Sequence, residues 1–569
     1  MTIPKKWQIK KHDRAAVNAL AAEIGVHPLT AALLISRGFS NAASATRFLF
    51  PSFEHLHDPF LLMGMRAAVE RILLASQRKE KVLVWGDYDV DGTTGTALLR
   101  SVVRILGIES EYHIPNRFTE GYGINIPALE AAQARGCTLG ISVDCGIRSF
   151  EPLEWAANAG FDFIITDHHL SDVERGNPPA VAVVNPNQAG CEYPDKHLAG
   201  VGVAFKLAHA LLLTQDREEL VPQFLKIAAI GTVADIMNLS GENRVIVSLG
   251  LVDLLKTRNH GLRALMEVAD CTSEMSSTHI GFRIAPRINA AGRMDVAKHV
   301  VELLEAEDFS KARGLAQLLD SRNRERQKMQ QEITDKAFLE FAEVLEKDFI
   351  VVAGEGWHRG VIGLAASRLA DRTNRPTIVL SIEEGVAHGS ARSVRGYNLV
   401  DALGTCSDLL EQFGGHAAAA GMKMSENKID ELRTRLNEHA IEAFNGSDHS
   451  SILEIDAPVA SSTLSLALID EISMLEPFGA GNPKPVFVTG GLKLSGEPFV
   501  MKQKHLKLFL TDNEKRRFEA VWWSGTEQLL GRTLSPGQSI EVAYTLEANT
   551  WQGMSRMQLV VQDIRVDNQ

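Results

Sequence analysis

The chain has 569 residues, 45% hydrophobic and 23% charged, which is a globular composition with room for about three or four domains. Its net charge of -12 argues against nonspecific coating of nucleic acid, which relies on basic surface, but leaves room for a nucleic-acid enzyme with local basic patches. Cys137, Cys145, Cys191, Cys271 and Cys406 form no CxxC pair, no window approaches 18 apolar residues, and the start lacks an apolar h-region; a thiolate zinc site, a disulfide framework and a membrane span are disfavoured, and a cytoplasmic setting is expected.

After about 55 residues of weak helical pattern, strand and helix signals alternate from residue 82 to about 235, which predicts a parallel α/β sheet. The expected strands are 82–85, 139–143, 161–165 and 181–184. Ligands of such sheets collect beyond the carboxyl ends of the strands. There the first strand runs into Asp87-Tyr88-Asp89-Val90-Asp91-Gly92, with three carboxylates at alternate positions. Unpaired carboxylates crowded at the end of a buried strand repel one another and lose hydration, and a divalent cation is the natural compensation. A calcium loop would need a glutamate at the twelfth position, which is Leu98, and residues 93–106 read as a helix. An acidic surface turn fits poorly after so apolar a strand.

The later strand ends add Asp144, then Asp167-His168-His169, and Asp235 follows the apolar segment 227–234. A mixed carboxylate and imidazole set suits manganese, magnesium or iron better than a structural zinc. If one carboxylate is shared by two ions, the implied chemistry is phosphoester hydrolysis.

Farther along, Arg287, Asn289 and Arg293 lie in Arg287-Ile288-Asn289-Ala290-Ala291-Gly292-Arg293, suited to phosphate. No Gly or Pro occurs from 315 to 353, which predicts a long connector helix, on the order of 45 Å if about 30 residues are helical. A second α/β pattern starts at 349–352. It includes Ser390 and Arg392, and Gly414-Gly415-His416, read as a phosphate-approaching loop followed by a helix of small residues. From about 455, short β-like runs at 486–488, 506–510, 520–523 and 559–561 suggest a small barrel. Lys502, Lys504, Lys507, Lys515, Arg516 and Arg517 against Asp512 and Glu514 give it a local charge of +4. With Trp522, Trp523 and Trp551 nearby, an OB-type barrel that stacks single strands is expected.

Together, the Asp87–Gly92 motif, Val143-Asp144-Cys145-Gly146 and Asp167-His168-His169 resemble the DHH phosphoesterase superfamily. Ile114-Pro115-Asn116-Arg117 running on to Gly121-Tyr122-Gly123, Gly356-Trp357-His358-Arg359-Gly360 and Gly479-Ala480-Gly481-Asn482-Pro483 are similar to its single-strand-specific exonucleases. The resemblance covers nearly the whole chain from about residue 55. It implies a manganese-dependent enzyme of DNA recombination and repair, with two ions and magnesium also serving, that releases 5′-mononucleotides from the 5′ end of single-stranded DNA. By the same resemblance Asp89, Asp91, Asp144, His168 and Asp235 are metal ligands, Asp87 is a further one, and His169 contacts the scissile phosphate. Arg117, Ser390 and Arg392 would hold the 5′ phosphate and Tyr122 would stack on a base. Position 85, a histidine in some relatives, is Trp85.

The expected layout is an N-terminal segment to 55, a DHH domain over 56–305, a connector helix over 306–347, a DHH-associated substrate-binding domain over 348–450 and an OB-fold domain over 451–569. A monomer is expected, with a helicase and a single-strand-binding protein as companions. The rival readings are a phosphodiesterase of short oligonucleotides or cyclic dinucleotides, and a non-catalytic strand-binding scaffold.

Overall fold

Val82, Leu83, Val84 and Trp85 are all fully buried in strand β1 (Lys81–Trp85), as an apolar run in the interior of a parallel sheet requires. The computed structural model describes residues 5–117, 119–294, 297–341, 343–445, 451–529, 532–551 and 554–566, and they form two compact units. One contains residues 41–324 and 474–483, the other 5–40, 325–473 and 484–566. The segment expected to form one N-terminal piece is thus divided at residue 40. It holds helices Arg14–Ile24, Pro28–Ser36 and Ala42–Leu49, preceded by strand Lys5–Ile9, which pairs in parallel with Ser451–Ile455.

In the first unit, helix α1 (Val90–Ile105) follows β1 and starts three residues earlier than expected. Asp89 is the reason: its side chain caps the helix by accepting a hydrogen bond from Gly92 N at 2.9 Å. The sheet continues through β2 (Ser110–His113), β3 (Cys137–Val143), β4 (Asp162–Thr166) and β5 (Ala182–Val184), in the all-parallel order β2-β1-β3-β4-β5. Strand β2 escapes a sequence reading because Ser110-Glu111-Tyr112-His113 lies half-buried at the sheet edge, where no apolar run is demanded. One face of the sheet packs on α1, α2 (Gly200–Thr214) and α3 (Leu225–Ala234). The other face carries Leu83, Trp85, Phe161, Phe163 and Ile165. Trp85 therefore points into a core, its ring 4.3 Å from that of His113. Helix α4 (Ala285–Arg293) follows a single π-helical turn, Ile280–Ile284.

Helix α5 (Phe309–Glu340) is the expected connector, 32 residues long and somewhat shorter than 306–347. Asp308 sets its start by accepting from Lys311 N at 2.8 Å, and the division between the units falls within it, at 324/325.

The second unit holds a sheet of β6 (Ile350–Glu355), β7 (Thr377–Glu383), β8 (Val386–Arg392), β9 (Leu410–His416) and β10 (Ala419–Ser425), with α6 (Arg359–Thr373) packed against β7 and β8. Its order is β9-β10-β8-β7-β6. Here one expectation fails: Gly414-Gly415-His416 is followed by a strand, not a helix of small residues. Ala420, Met422 and Met424 face the core at every second position, and that burial overrides the helical preference of alanine.

Among the described residues from 487 to 566, the expected barrel is built from β11 (Phe487–Leu494), β12 (His505–Thr511), β13 (Arg517–Trp522), β14 (Ser539–Trp551) and β15 (Met554–Val566). The order β11-β14-β15-β13-β12 closes through Lys493↔Thr511 and Leu494↔Leu510, a five-stranded OB-type circuit. Trp522 is wholly buried and packs the barrel, whereas Trp523 is exposed; the Trp551 side chain lies outside the described residues. The basic patch is partly neutralised, since Arg516 pairs with Asp512 and Glu514 and Lys507 with Glu519. No single described helix is long and apolar enough to cross a membrane.

Candidate metal centre

Strands β1, β3 and β4 end side by side, so the segments that follow them meet at one edge of the sheet. Asp87, Asp89 and Asp144 bring one oxygen each within 4.8 Å of one another, and a ring nitrogen of His168 lies within the same distance of one oxygen each of Asp91 and Asp235, which are themselves that close. Asp144 also makes a third such group with His168 and His169, so the first set is linked to the second through Asp144 and His168. Its Oδ1 lies 3.2 Å from His168 Nε2, which in turn is 3.6 Å from Asp235 Oδ2 and 3.9 Å from Asp91 Oδ2. The three strand ends and α3 thus assemble all six sequence-predicted ligands in two adjoining sets.

Local backbone features make this crowding feasible. A Cβ on Gly92 would stand 2.5 Å from Asp87 N and 2.7 Å from its Cα, so only glycine lets the chain after β1 turn back against the start of α1. Gly92→Ala is expected to cost about 1–3 kcal/mol of stability, read by denaturant unfolding, and to weaken divalent-cation binding in a metal titration. Asp91 is gripped at the start of α2, where Gly200 N donates to its Oδ2 at 2.7 Å and Val201 N to its Oδ1 at 2.6 Å. Gly200 is needed there too, because a Cβ would meet Asp144 Oδ1 at 2.7 Å. Asp144 itself sits at φ 63, a conformation that Asp adopts more readily than most residues.

The carboxylates are held in a state that water would not choose. Burial, and then the charge of Asp89, push Asp87 up to about 8 and Asp235 up to about 7. Burial raises Asp91 and Asp144 well above the ordinary range, Asp91 next through Asp235 and Asp144 next through Asp91, and burial also raises Asp89. Asp87 Oδ1, Asp144 Oδ1 and Asp235 Oδ2 are buried and accept no hydrogen bond. Oxygens left without donors at the meeting point of two carboxylate sets fit divalent cations, which would supply the missing positive charge.

Asp167, whose task the sequence alone does not reveal, orders the two histidines. Its Oδ1 accepts from His168 N at 2.7 Å and His169 N at 3.0 Å and lies 2.8 Å from His169 Nδ1, while Ile147 N donates to its Oδ2. Burial pushes Asp167 up, but the bonds and charge of His169 outweigh it and hold Asp167 below its ordinary value. His169 is correspondingly raised, with Asp167 overcoming the opposite effect of burial. Burial and the neighbouring His169 take His168 down to about 4, which keeps its ring neutral and able to accept a cation. Asn187 and Asn185 fix the same loop by donating to the His168 and His169 carbonyls.

A cavity of 310 Å³ opens over the carboxylates, and Tyr88, Arg117, Tyr122, Asn289 and Arg293 line it together with His169. The Arg117 guanidinium lies over the Tyr88 ring at 5.0 Å, and Tyr122 OH donates to the Asp144 carbonyl at 3.2 Å while its ring stays more than half exposed. Gly292 allows α4 this close, since a Cβ would meet the Tyr88 carbonyl at 2.3 Å. Arg287 does not join them. Its guanidinium donates to Asp320 at 2.9 Å and to the Val268 and Arg283 carbonyls, tying α4 to α5. Trp85, buried in the opposite face of the sheet, adds no ligand.

In the second unit Ser390 and Arg392 stand two residues apart on β8, with Arg392 Nη1 donating to Ser390 Oγ at 3.1 Å. Gly414 and His416 share their sheet face through the rows Gly414↔Gly421↔Ser390 and His416↔Ala419↔Arg392; Gly415 is exposed on the opposite face. In the motif at 356–360, Trp357 enters the core and His358 caps α6 by accepting from Gly360 N.

The chain matches three family models: the DHH family N-terminal domain over residues 81–232, the DHHA1 domain over 346–442 and the RecJ OB domain over 455–563. It is 40% identical to the single-stranded-DNA-specific exonuclease RecJ of Bacillus subtilis (strain 168), over 99% of this chain and 71% of that protein. The structure of Thermus thermophilus RecJ in complex with Mn²⁺ superimposes with a TM-score of 0.83 at 29% identity, covering 98% of this chain and 79% of that one. The Mg²⁺ complex of the same protein gives a TM-score of 0.78 at 27% identity, with 98% and 78% covered.

Proposed function

The chain belongs to the RecJ family of DHH phosphoesterases, and on that premise we propose that it is an exonuclease that digests single-stranded DNA from the 5′ end, releasing 5′-mononucleotides. The observation that carries this reading is the pair of adjoining ligand sets, linked where Asp144 Oδ1 stands 3.2 Å from His168 Nε2. Two manganese or magnesium ions bound there supply an activated water and neutralise the charge that develops on the phosphoryl group. Asp87, Asp89 and Asp144 would hold one ion, and Asp91, His168 and Asp235, with Asp144 beside them, would hold the other. His169, its Nδ1 fixed on Asp167, keeps Nε2 for a non-bridging oxygen of the scissile phosphate, and its raised pKa favours the charged donor.

Arg117, Asn289 and Arg293 bind the strand's phosphates around the cavity, and Tyr122 offers its exposed ring to a base. Ser390 and Arg392 hold the 5′ phosphate, with Gly414 and His416 aligned beside them on the same sheet face and Gly415 between the two turned to the other. Arg287 is left out of the substrate set. On the barrel, Phe499, Phe509 and Trp523 are exposed near Lys502, Lys504 and Lys507, a combination suited to stacking bases and pairing phosphates, and one that a phosphodiesterase of dinucleotides would not need. The enzyme acts in the cytoplasm as a monomer in DNA recombination and repair, with a helicase and a single-strand-binding protein supplying and covering its substrate. Its domains are read as 56–305, 306–347, 348–450 and 451–569, with the N-terminal segment to 55 divided at residue 40.

Incubating a 5′-labelled single strand and its duplex with the protein in Mn²⁺, Mg²⁺ or EDTA tests this. Mononucleotides are expected from the single strand with either metal and none with EDTA. Equal digestion of the duplex, or activity that survives chelation, would overturn it.

A further inference from the structure

The motif Gly479-Ala480-Gly481-Asn482-Pro483 remains without a task, and its position gives it one. Residues 474–483 pack within the metal-binding unit, although the helix Leu466–Ser473 before them and β11 after them belong to the other. The segment is folded on itself by Asn482, whose side chain donates to the Leu475 carbonyl at 2.7 Å and the Pro477 carbonyl at 2.9 Å, and by two backbone bonds between Gly479 and Asn482. Arg244, itself buried, grips it by donating to the Met474, Leu475 and Glu476 carbonyls.

What the segment touches is the turn that carries Asp235. Leu239 N donates to the Ala480 carbonyl at 2.8 Å, and from outside the turn Ser277 Oγ anchors the segment by donating to the Phe478 carbonyl. A Cβ on Gly481 would meet Asn238 Oδ1 at 2.9 Å, and one on Gly479 would meet Leu239 Cδ1 at 2.7 Å. The turn itself is under strain. Asp235 ends α3, and the next residue, Ile236, is β-branched, exposed and left-handed at φ 58, a conformation that such side chains avoid unless the surroundings impose it.

We propose that residues 474–483 are a positioning element for Asp235, bracing the strained turn 236–239 so that the carboxylate reaches the metal pair. The proposal rests on the reading of Asp235 as a ligand. Groups that orient ligands from behind change metal affinity by about 10- to 100-fold when altered, so the effect should be read as metal affinity more than as folding.

The test compares the wild type with Asp235→Ala, Gly481→Ala and the milder Ser277→Ala, using Mn²⁺ titration followed by electron paramagnetic resonance and the Mn²⁺ dependence of strand digestion. Thermal unfolding in EDTA accompanies each variant, and Ser277→Ala serves if Gly481→Ala does not fold. Gly481→Ala is expected to raise the Mn²⁺ concentration for half-maximal activity about tenfold, and Ser277→Ala by less, with kcat recovered at high Mn²⁺ and KM for the strand unchanged. Wild-type Mn²⁺ affinity in a folded Gly481→Ala, or in Ser277→Ala if that is the variant that folds, beside weakened binding in Asp235→Ala, would overturn the proposal. Unchanged binding in Asp235→Ala would instead overturn the ligand reading on which it rests.

Discussion

Asp144→Ala is expected to reduce strand digestion by about a thousandfold or more, the equivalent of several kcal/mol of transition-state stabilisation, while leaving single-strand binding nearly intact. The size follows from place: Asp144 belongs to one ligand set and stands against the other, with its Oδ1 3.2 Å from His168 Nε2 and 3.8 Å from His169 Nδ1. Removing it takes a negative charge from both positions at once. No retained side chain can swing in, because Asp91 is pinned at the start of α2 and Asp167 is committed to the histidine loop. Strand binding survives because Arg117, Tyr122 and the barrel aromatics do not depend on this carboxylate. Single-turnover digestion beside a mobility-shift titration separates the two quantities; near-normal digestion would refute its role as a ligand.

The second large effect concerns the protein stripped of metal. Asp87 and Asp235 titrate at about 8 and about 7 in the folded state, and Asp91 and Asp144 are also raised, while an unfolded aspartate titrates near 4. Between these values the folded chain holds protons that the unfolded chain has released, so the sign is fixed. Stability from these groups is fully present below about pH 4 and is lost as the pH rises towards 8. Cations reverse the loss by favouring the charged carboxylates. The difference in unfolding temperature between Mn²⁺ and EDTA samples should therefore widen from pH 5 to pH 8, and comparing the two at each pH cancels the titration of distant groups. A difference that stays constant or narrows would count against these carboxylates as the binding groups.

How much of this could be read from the residues depended on whether a local pattern decided the outcome. The run before Asp87 is apolar because β1 is covered on both faces, and three acids crowded directly after it repel one another and lose hydration, so strand, strand end and cation followed together. Strand β2 is polar and half-buried at an edge, and its character comes from its neighbour and not from its own residues. Residues 419–424 look helical by composition, but their alternation against the second core settles them as a strand. Arg287 and Arg293 sit in one motif and are alike in sequence; only the presence of Asp320, 33 residues away, shows that the first ties two helices together while the second faces the cavity. Asp167 is visible beside the histidines, but its service to His169 depends on the turn that brings Oδ1 to Nδ1.

The grip of α2 on Asp91 also bears on how such an enzyme can change over generations. Every residue of that helix from Gly200 to Leu212 is buried, so the amide pair that orients the carboxylate is registered against a large apolar interior and not against the surface. Substitutions on the solvent face can drift without disturbing the ligand, and the second unit can be tuned for new strands. Shifts in metal preference, by contrast, should arise through changes of side-chain volume at the buried apolar positions along α2, where a screen confined to the pocket would not look.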